Sequence, residues 1–421
     1  MSLAALAPAL ADAARVVSRV AAGRSLADEL DAPDRSTTRA ALLDLTHGTL
    51  RRYGRVQAMV RELSHRGTTD AQVAALLWCA LYALESGRYA PYTVVDQAVS
   101  ACSLLEKWNA KGYVNALLRA ALRQGSSLET RIAADEEGRY QHPAWWIETV
   151  RRAYPDSWQA ILAAGNSHPP MCVRVNRRRS SVESYLARLA VACIGARPLG
   201  AAAVLLEHPV AVGELPGFDA GEVSVQDAGA QRATACLDLQ SGQRVLDACA
   251  APGGKTAHIL ETCDVELTAL DTDAARTARL ARNLERLALR AELLQGDCTR
   301  PADWWSGEPF DRILADVPCS ASGIARRRPD LKWLRRTHDL ASFAARQGAI
   351  LDALWQPLRA NGKLLYATCS VFPQENDGVI NAFLARHAGA RRLSLPDGGA
   401  AQWLPDAEHD GFFYALIEKA A

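Results

Sequence analysis

No stretch of about 18 apolar residues occurs in the 421-residue chain, so no membrane-spanning helix is expected. The first residues carry no basic segment ahead of an apolar core, and Asp12, Arg15 and Arg19 interrupt them. A secretory leader is therefore not expected, and the expected location is the cytoplasm. Charge of one sign is also missing: 48 Lys and Arg stand against 47 Asp and Glu, a net charge of +1. Any nucleic acid must then be held through local basic clusters rather than a global field. The ten cysteines contain no C-x-x-C pair and suggest no disulfide framework, so they read as free thiols of a reduced chain, most of them small buried hydrophobes. His142, His168 and His258 share no metal-ligand spacing with one another or with a cysteine pair, and no metal is expected. Neither G-x-G-x-x-G nor G-x-x-x-x-G-K-[ST] occurs, which disfavours a dinucleotide site and a P-loop.

What is present begins with a helical rhythm. Up to about residue 125 Gly and Pro are sparse, and apolar residues recur at helical spacing. Ser36 to Thr38 supply cap-type residues, and Leu42, Leu45, Leu50 and Val56 follow on one side. The polar, poorly periodic stretch from 125 to 143 reads as a linker, and a mixed region of short strands and helices follows. From about residue 236 the rhythm becomes strand, helix, strand, helix, through RVLDACA, ELTALDTD, AELLQGD, FDRILADVPCS and GKLLYATCS. The expected organisation is an all-helical domain over 1–130, a small α+β domain over 141–235 and an α/β domain over 236–421. The alternation predicts a mainly parallel sheet with helices on both faces, and ligands bind outside the carboxyl ends of such strands.

Chemistry concentrates at those ends. In LDACAAPGGKT, Gly253 and Gly254 let the backbone pass close to a ligand, and the helix start offers free N–H groups. Asp271 ends the next strand at a distance suited to ribose hydroxyls, and Asp297 ends the third. Each Asp alone could be a helix cap; the three strand ends in order favour a nucleoside-type ligand. Two further ends carry cysteines: Asp316 precedes Pro318-Cys319, and Cys369 sits in Thr368-Cys369-Ser370. A thiolate is a strong soft nucleophile once its pKa is lowered. Two such thiols beside an acid and a nucleoside pocket point to covalent chemistry more than to packing. Basic clusters lie at Arg174 with Arg177 to Arg179, and at Arg326, Arg327, Arg328, Lys332, Arg335 and Arg336 directly after the Cys319 loop. The second run is expected to track phosphates, with Arg177 and Arg178 as further RNA contacts. Trp146 and Trp333 suit a core more than base stacking.

Together, DACAAPGGKT, DTD, GDCT, DVPCSASGIARRRPDLKW and YATCSVFPQEND resemble the RNA cytosine-5 methyltransferases that use S-adenosylmethionine. Over nearly the whole chain, the ending DGFFYALIEK included, the sequence is similar to the bacterial small-subunit (16S) ribosomal RNA branch. There a domain similar to the antitermination factor NusB precedes a Rossmann-like catalytic domain. The resemblance implies that Cys249, Ala250, Ala251, Pro252, Gly253, Gly254 and Lys255 wrap the methionine part of the cofactor. It implies that Asp271 holds the ribose, Asp297 the adenine side, and that Asp316 lies between cofactor and base. It makes Cys369 the nucleophile and Cys319 the thiol that assists product release. The expected partner is ribosomal RNA, free or in a partly assembled subunit, bound by a monomer. Val317 stands where the family more often has Ala, a change of bulk and not of chemistry. Three alternatives compete: the same chemistry on tRNA, a non-catalytic RNA-binding or antitermination protein, and a nicotinamide oxidoreductase. The intact cysteines and Gly-Gly turn weigh against the second, and the missing G-x-G-x-x-G against the third.

Overall fold

The computed structural model describes residues 6–30, 39–64 and 67–421, and the cap expected at Ser36 to Thr38 lies outside them. The chain divides into two units: residues up to His168 together with Ala325–Thr337, and Pro169–Ile324 together with His338–Ala421.

The first unit is helical. Its main helices are Leu6–Ala21, Arg39–Arg51, Tyr53–Leu63, Ala71–Glu85, Pro91–Leu104 and Lys111–Ala134, followed by Ala144–Ala153 and Trp158–Asn166. Leu42, Leu45, Leu50 and Val56 are all buried as their spacing requires, although the stretch breaks into two helices at Arg52. Asp70 caps Ala71–Glu85, its carboxylate accepting from the N–H groups of Gln72 and Val73 at 3.0 and 3.1 Å. The stretch expected as a linker is instead mostly helix. Lys111–Ala134 bends at Gly125 and continues, because Leu128 and Ile132, one turn apart, are drawn into the core at 2% and 0% exposure. No described helix is long and apolar enough to cross a membrane.

The second unit holds two sheets. The smaller comprises β1 (Cys172–Val175), β2 (Ala196–Pro198), β3 (Ala203–Leu206) and β4 (Val223–Val225), all antiparallel in the order β2-β3-β1-β4. Helix Val182–Val191 seals its apolar face through Tyr185 and Leu189. The larger sheet contains β5 (Arg244–Ala248), β6 (Glu266–Asp271), β7 (Glu292–Gln295), β8 (Phe310–Asp316), β9 (Leu358–Thr368), β10 (Ala390–Leu393), β11 (Gln402–Trp403) and β12 (Phe412–Lys419). Its order is β10-β12-β9-β8-β5-β6-β7, with β11 paired to β12. Strands β5 to β9 are mutually parallel, and β10, β11 and β12 close one side antiparallel.

Successive residues of the central strands supply opposite faces. Val245, Leu314 and Leu365 pack with helices Gly254–Thr262 and Ala274–Leu287, whereas Leu246, Ile313 and Leu364 pack with Asp339–Leu354 and Asp377–Arg386. Both faces are covered, so the strands read as unbroken apolar runs. The chain moves outward from β5 to β7 and then crosses back to place β8 on the other side of β5. That reversal opens a crevice at the carboxyl ends of β5 and β8, the usual ligand position in such a sheet.

Candidate active site

Every loop around the crevice leaves the carboxyl end of a parallel strand. After β5, Cys249 adopts φ +66° and Gly253 adopts φ +95°, a turn that delivers the chain to the first residue of helix Gly254–Thr262. At Gly253 a side chain would also meet Leu280, its Cβ only 2.7 Å from that side chain. Asp271, at the end of β6, is 5% exposed and pins this turn: its carboxylate accepts from Ala251 N–H at 3.0 Å and from Asp273 N–H at 3.1 Å. Beneath the turn lies Asp247, buried, with one oxygen accepting from the Thr256 hydroxyl at 2.7 Å. Burial pushes its pKa up to about 7.

Asp297 follows β7 and is half-buried. One of its oxygens accepts from the N–H and hydroxyl of Thr299 at 2.9 and 2.7 Å, and these bonds hold its pKa below the usual carboxylate range. Its neighbour Cys298, unremarked in the sequence, lies 3.8 Å from Cys249, sulfur to sulfur.

The centre of the crevice is charged. Lys255 Nζ donates to Asp316 at 2.6 Å, where β8 ends. Burial alone would lower the lysine pKa; the attractions of Asp316 and then of Cys369 outweigh it, and the pKa is raised. Lys255 is thus a fixed cation that both Asp316 and Cys369 feel. Cys319 and Cys369 stand 3.5 Å apart, sulfur to sulfur, both partly exposed. The hydrogen bond to Cys369, and then burial, raise the Cys319 pKa well above its ordinary value. Cys319 is therefore held as the protonated thiol, and the contact admits either sulfur as donor.

The two cysteine turns are joined from below by a buried polar lattice. Glu375, 0% exposed, accepts from Ser320 N–H at 2.7 Å, from Gln347 at 3.1 Å and from the Ser370 hydroxyl at 2.7 Å. Ser322 and Ser370 meet at 3.0 Å, and Val371 N–H donates to the Ser322 hydroxyl at 2.9 Å. Asn376 accepts from Thr368 at 2.6 Å and donates to Ser370 O at 2.9 Å. Gly323 adds a direct backbone tie, its N–H donating to Cys369 O at 2.9 Å; a Cβ there would lie 2.3 Å from Gly411 O. Glu375 and Asn376 stand within the quoted YATCSVFPQEND, yet their lattice role was not read from it. The available signal was a Glu-Asn pair immediately beyond a buried strand end, where only an internal partner justifies a carboxylate.

The basic runs fare differently. Arg326 and Lys332 are 1% and 0% exposed inside the helical unit, which overturns their expected place on a phosphate-tracking face. Lys332 Nζ donates toward Arg51 O at 2.8 Å, Gln141 O at 3.0 Å and Asn166 Oδ1 at 2.8 Å, and burial lowers its pKa well below the ordinary value. Arg327 and Arg328 are partly buried, the latter 3.5 Å from Asp330. Trp333 packs edge-on against Tyr53, and Trp146 is a core residue at 1% exposure. In the second unit Arg174 is also internal, making a two-point pair with Glu261 at 2.8 Å. Arg178 pairs with Asp264 at 2.6 Å, while Arg177 is exposed. No cluster of potential metal ligands occurs among the described residues.

Comparison with known proteins agrees across the chain. Residues 234–418 match the family model described as 16S rRNA methyltransferase RsmB/F, residues 142–213 its ferredoxin-like domain, and residues 9–123 the NusB family. The chain is similar to ribosomal RNA small subunit methyltransferase B of Pseudomonas putida, at 43% identity over 97% of this chain and 98% of that protein. The corresponding protein of Vibrio cholerae is 42% identical over 94% of each. Among solved structures, a methyltransferase homolog from Pyrococcus horikoshii superposes with a TM-score of 0.60 at 27% identity, covering 68% of this chain and 98% of the other. NSun6 from the same organism has a TM-score of 0.58 at 19% identity, covering 66% and 98%.

The lattice carries a test. Glu375→Ala leaves the Ser320 N–H and the Ser370 hydroxyl buried without their acceptor, and each such loss to a charged partner costs about 1.5–3 kcal/mol. Denaturant unfolding is expected to show a loss of roughly 3 kcal/mol or more; a loss within the error of the measurement would mean the carboxylate does not hold the turns together.

Proposed function

The chain belongs to the 16S rRNA methyltransferase RsmB/F family, and from that premise we propose that it methylates C5 of a cytosine in small-subunit ribosomal RNA through a covalent bond between Cys369 and C6 of the base. The observation that carries this reading is the 3.5 Å approach of Cys319 to Cys369 beside the Lys255–Asp316 pair.

S-adenosylmethionine fits the donor set. The residues proposed to hold it are the turn from Cys249 to Lys255, the buried carboxylate of Asp271 and the half-buried one of Asp297. A carboxylate at a strand end suits ribose hydroxyls, and the glycine turn permits close backbone approach. When bound, this cofactor supplies an electrophilic methyl group.

The chain's own residues do the rest. C5 of cytosine is a weak nucleophile. Addition of the Cys369 sulfur to C6 forms one S–C bond and moves electron density to C5 and onto the ring, creating an enamine carbon. The Lys255 cation offsets the negative charge that develops on the ring. Asp316 fixes the ammonium at 2.6 Å, so the pair acts as one polarised unit. After methylation the C5 proton must leave and the S–C6 bond must break, returning the electron pair to Cys369. Cys319, 3.5 Å from the departing sulfur, is placed to give its proton to Cys369 as the S–C6 bond breaks and to take the C5 proton in its place, which restores both thiols. The target base must first leave its stack, at a cost of about a few kcal/mol.

Two substitutions separate the roles. Cys369→Ala is expected to abolish methyl transfer to ribosomal RNA while S-adenosylmethionine affinity, read by calorimetry, changes less than about threefold. Transfer persisting above about 1% would exclude Cys369 as nucleophile. Cys319→Ser is expected to add to the base but release it poorly. A slow-migrating protein–RNA band should appear on denaturing gels, and its absence alongside intact turnover would remove Cys319 from the release step.

A further inference from the structure

Among the described residues, seven large hydrophobic side chains are conspicuously exposed, and four belong to one part of the helical unit: Tyr92 at 76%, Leu104 at 46%, Trp108 at 61% and Leu122 at 47%. They lie on or between helices Pro91–Leu104 and Lys111–Ala134. A groove of about 840 Å³ runs between these helices, bordered by Tyr92, Val95 and Val99 on one side and Lys111, Asn115 and Arg119 on the other. A Cβ built on Gly112, in the same lining, would meet nothing within 4 Å.

Charge separates this groove from a simple apolar seam. Lys111, Asn115, Arg119 and Arg123 recur every fourth residue and so form one ridge of the helix, about 18 Å long. Many other arginines of the unit take carboxylate partners: Arg15 with Asp12, Arg55 with Glu85, Arg61 with Asp135, Arg131 with Glu62. The ridge does not. Arg119 bonds only the Asn115 amide at 3.0 Å, Lys111 lies over the Trp108 ring at 5.1 Å, and no carboxylate among the described residues pairs with Lys111, Arg119 or Arg123. The acid in the groove lining, Asp96, accepts from Gln97. Unneutralised cations along one ridge beside exposed aromatic faces are what a single-stranded nucleic acid needs: phosphates follow the cations and bases stack on the rings.

We propose that this groove holds a single-stranded segment of the RNA substrate, with bases against Tyr92 and Trp108 and phosphates along Lys111, Arg119 and Arg123. The proposal rests on the reading of the chain as an RNA methyltransferase, and it adds where the helical unit grips the strand. A partner protein would have to bury three unpaired cations, whereas RNA neutralises them.

The test uses the full chain, a short fluorescein-labelled single-stranded RNA and transcribed 16S ribosomal RNA, with Kd measured over a salt series. Tyr92→Ala with Trp108→Ala is expected to weaken binding at least about fivefold. Lys111→Gln with Arg119→Gln and Arg123→Gln is expected to flatten the slope of log Kd against log salt by about 2, near 0.7 for each lost phosphate contact on a single strand. All five side chains face solvent at least in part, and unchanged thermal unfolding of each variant checks the fold. Unaltered affinity and slope in both variants would overturn the proposal and leave the groove to a protein partner. Cytosine methylation by the wild-type chain is measured in parallel. Its absence, with binding that still responds to the variants, sinks the enzymatic reading alone; its presence, with no response, sinks the groove alone.

Discussion

One buried carboxylate holds the proposed chemistry in place. Two turns, each leaving a different parallel strand, must present their sulfurs to a single base. Left to themselves, two such turns would fluctuate independently by more than the tolerance of a bond-forming reaction. Glu375 removes that freedom by accepting from the Ser320 backbone on one turn and the Ser370 hydroxyl on the other, with Gln347 fixing its remaining direction. A carboxylate at 0% exposure is costly unless its lone pairs are filled. Here the filling groups are the cysteine turns themselves, so the demand of the carboxylate for partners and the demand of the proposed site for rigidity are met by the same bonds.

Above that lattice the charges sort by environment. Lys255 stays ionised despite burial because Asp316 and Cys369 both draw on it. Cys319 keeps its proton because it lies against another sulfur in a largely dry place. The two thiols thereby sit in different surroundings: Cys319 lies against another sulfur, and Cys369 faces the Lys255 cation.

Much of this was legible in the amino-acid order. The strand-helix alternation gave the parallel sheet, and Cys249, Asp271, Asp316, Cys319 and Cys369 could be assigned to strand ends because a covered strand is an apolar run that stops where function begins. What escaped notice depended on distant pairing. The basic run from Arg326 to Lys332 looks like a surface because charge normally is one, but backbone carbonyls of Arg51 and Gln141 bury its lysine. The polar stretch after Gly125 looks like a linker because only Leu128 and Ile132 mark its core face. Glu375 shows its burial only through its place just beyond a buried strand end, a sign too weak to name its partners. Helices Pro91–Leu104 and Lys111–Ala134 present the reverse case: their unpaired cations become visible only once the partners of the other arginines are known.

The central claim is that the sulfur of Cys369 bonds to the base. RNA substituted with 5-azacytidine tests it directly, since a ring nitrogen in place of C5 carries no proton to eliminate and the adduct cannot resolve. Incubation of the wild-type protein with such RNA and S-adenosylmethionine, followed by protease digestion and mass spectrometry, is expected to find the nucleotide on the peptide containing Cys369. A nucleotide on the Cys319 peptide, or no adducted peptide from a protein active on ordinary RNA, would contradict the account.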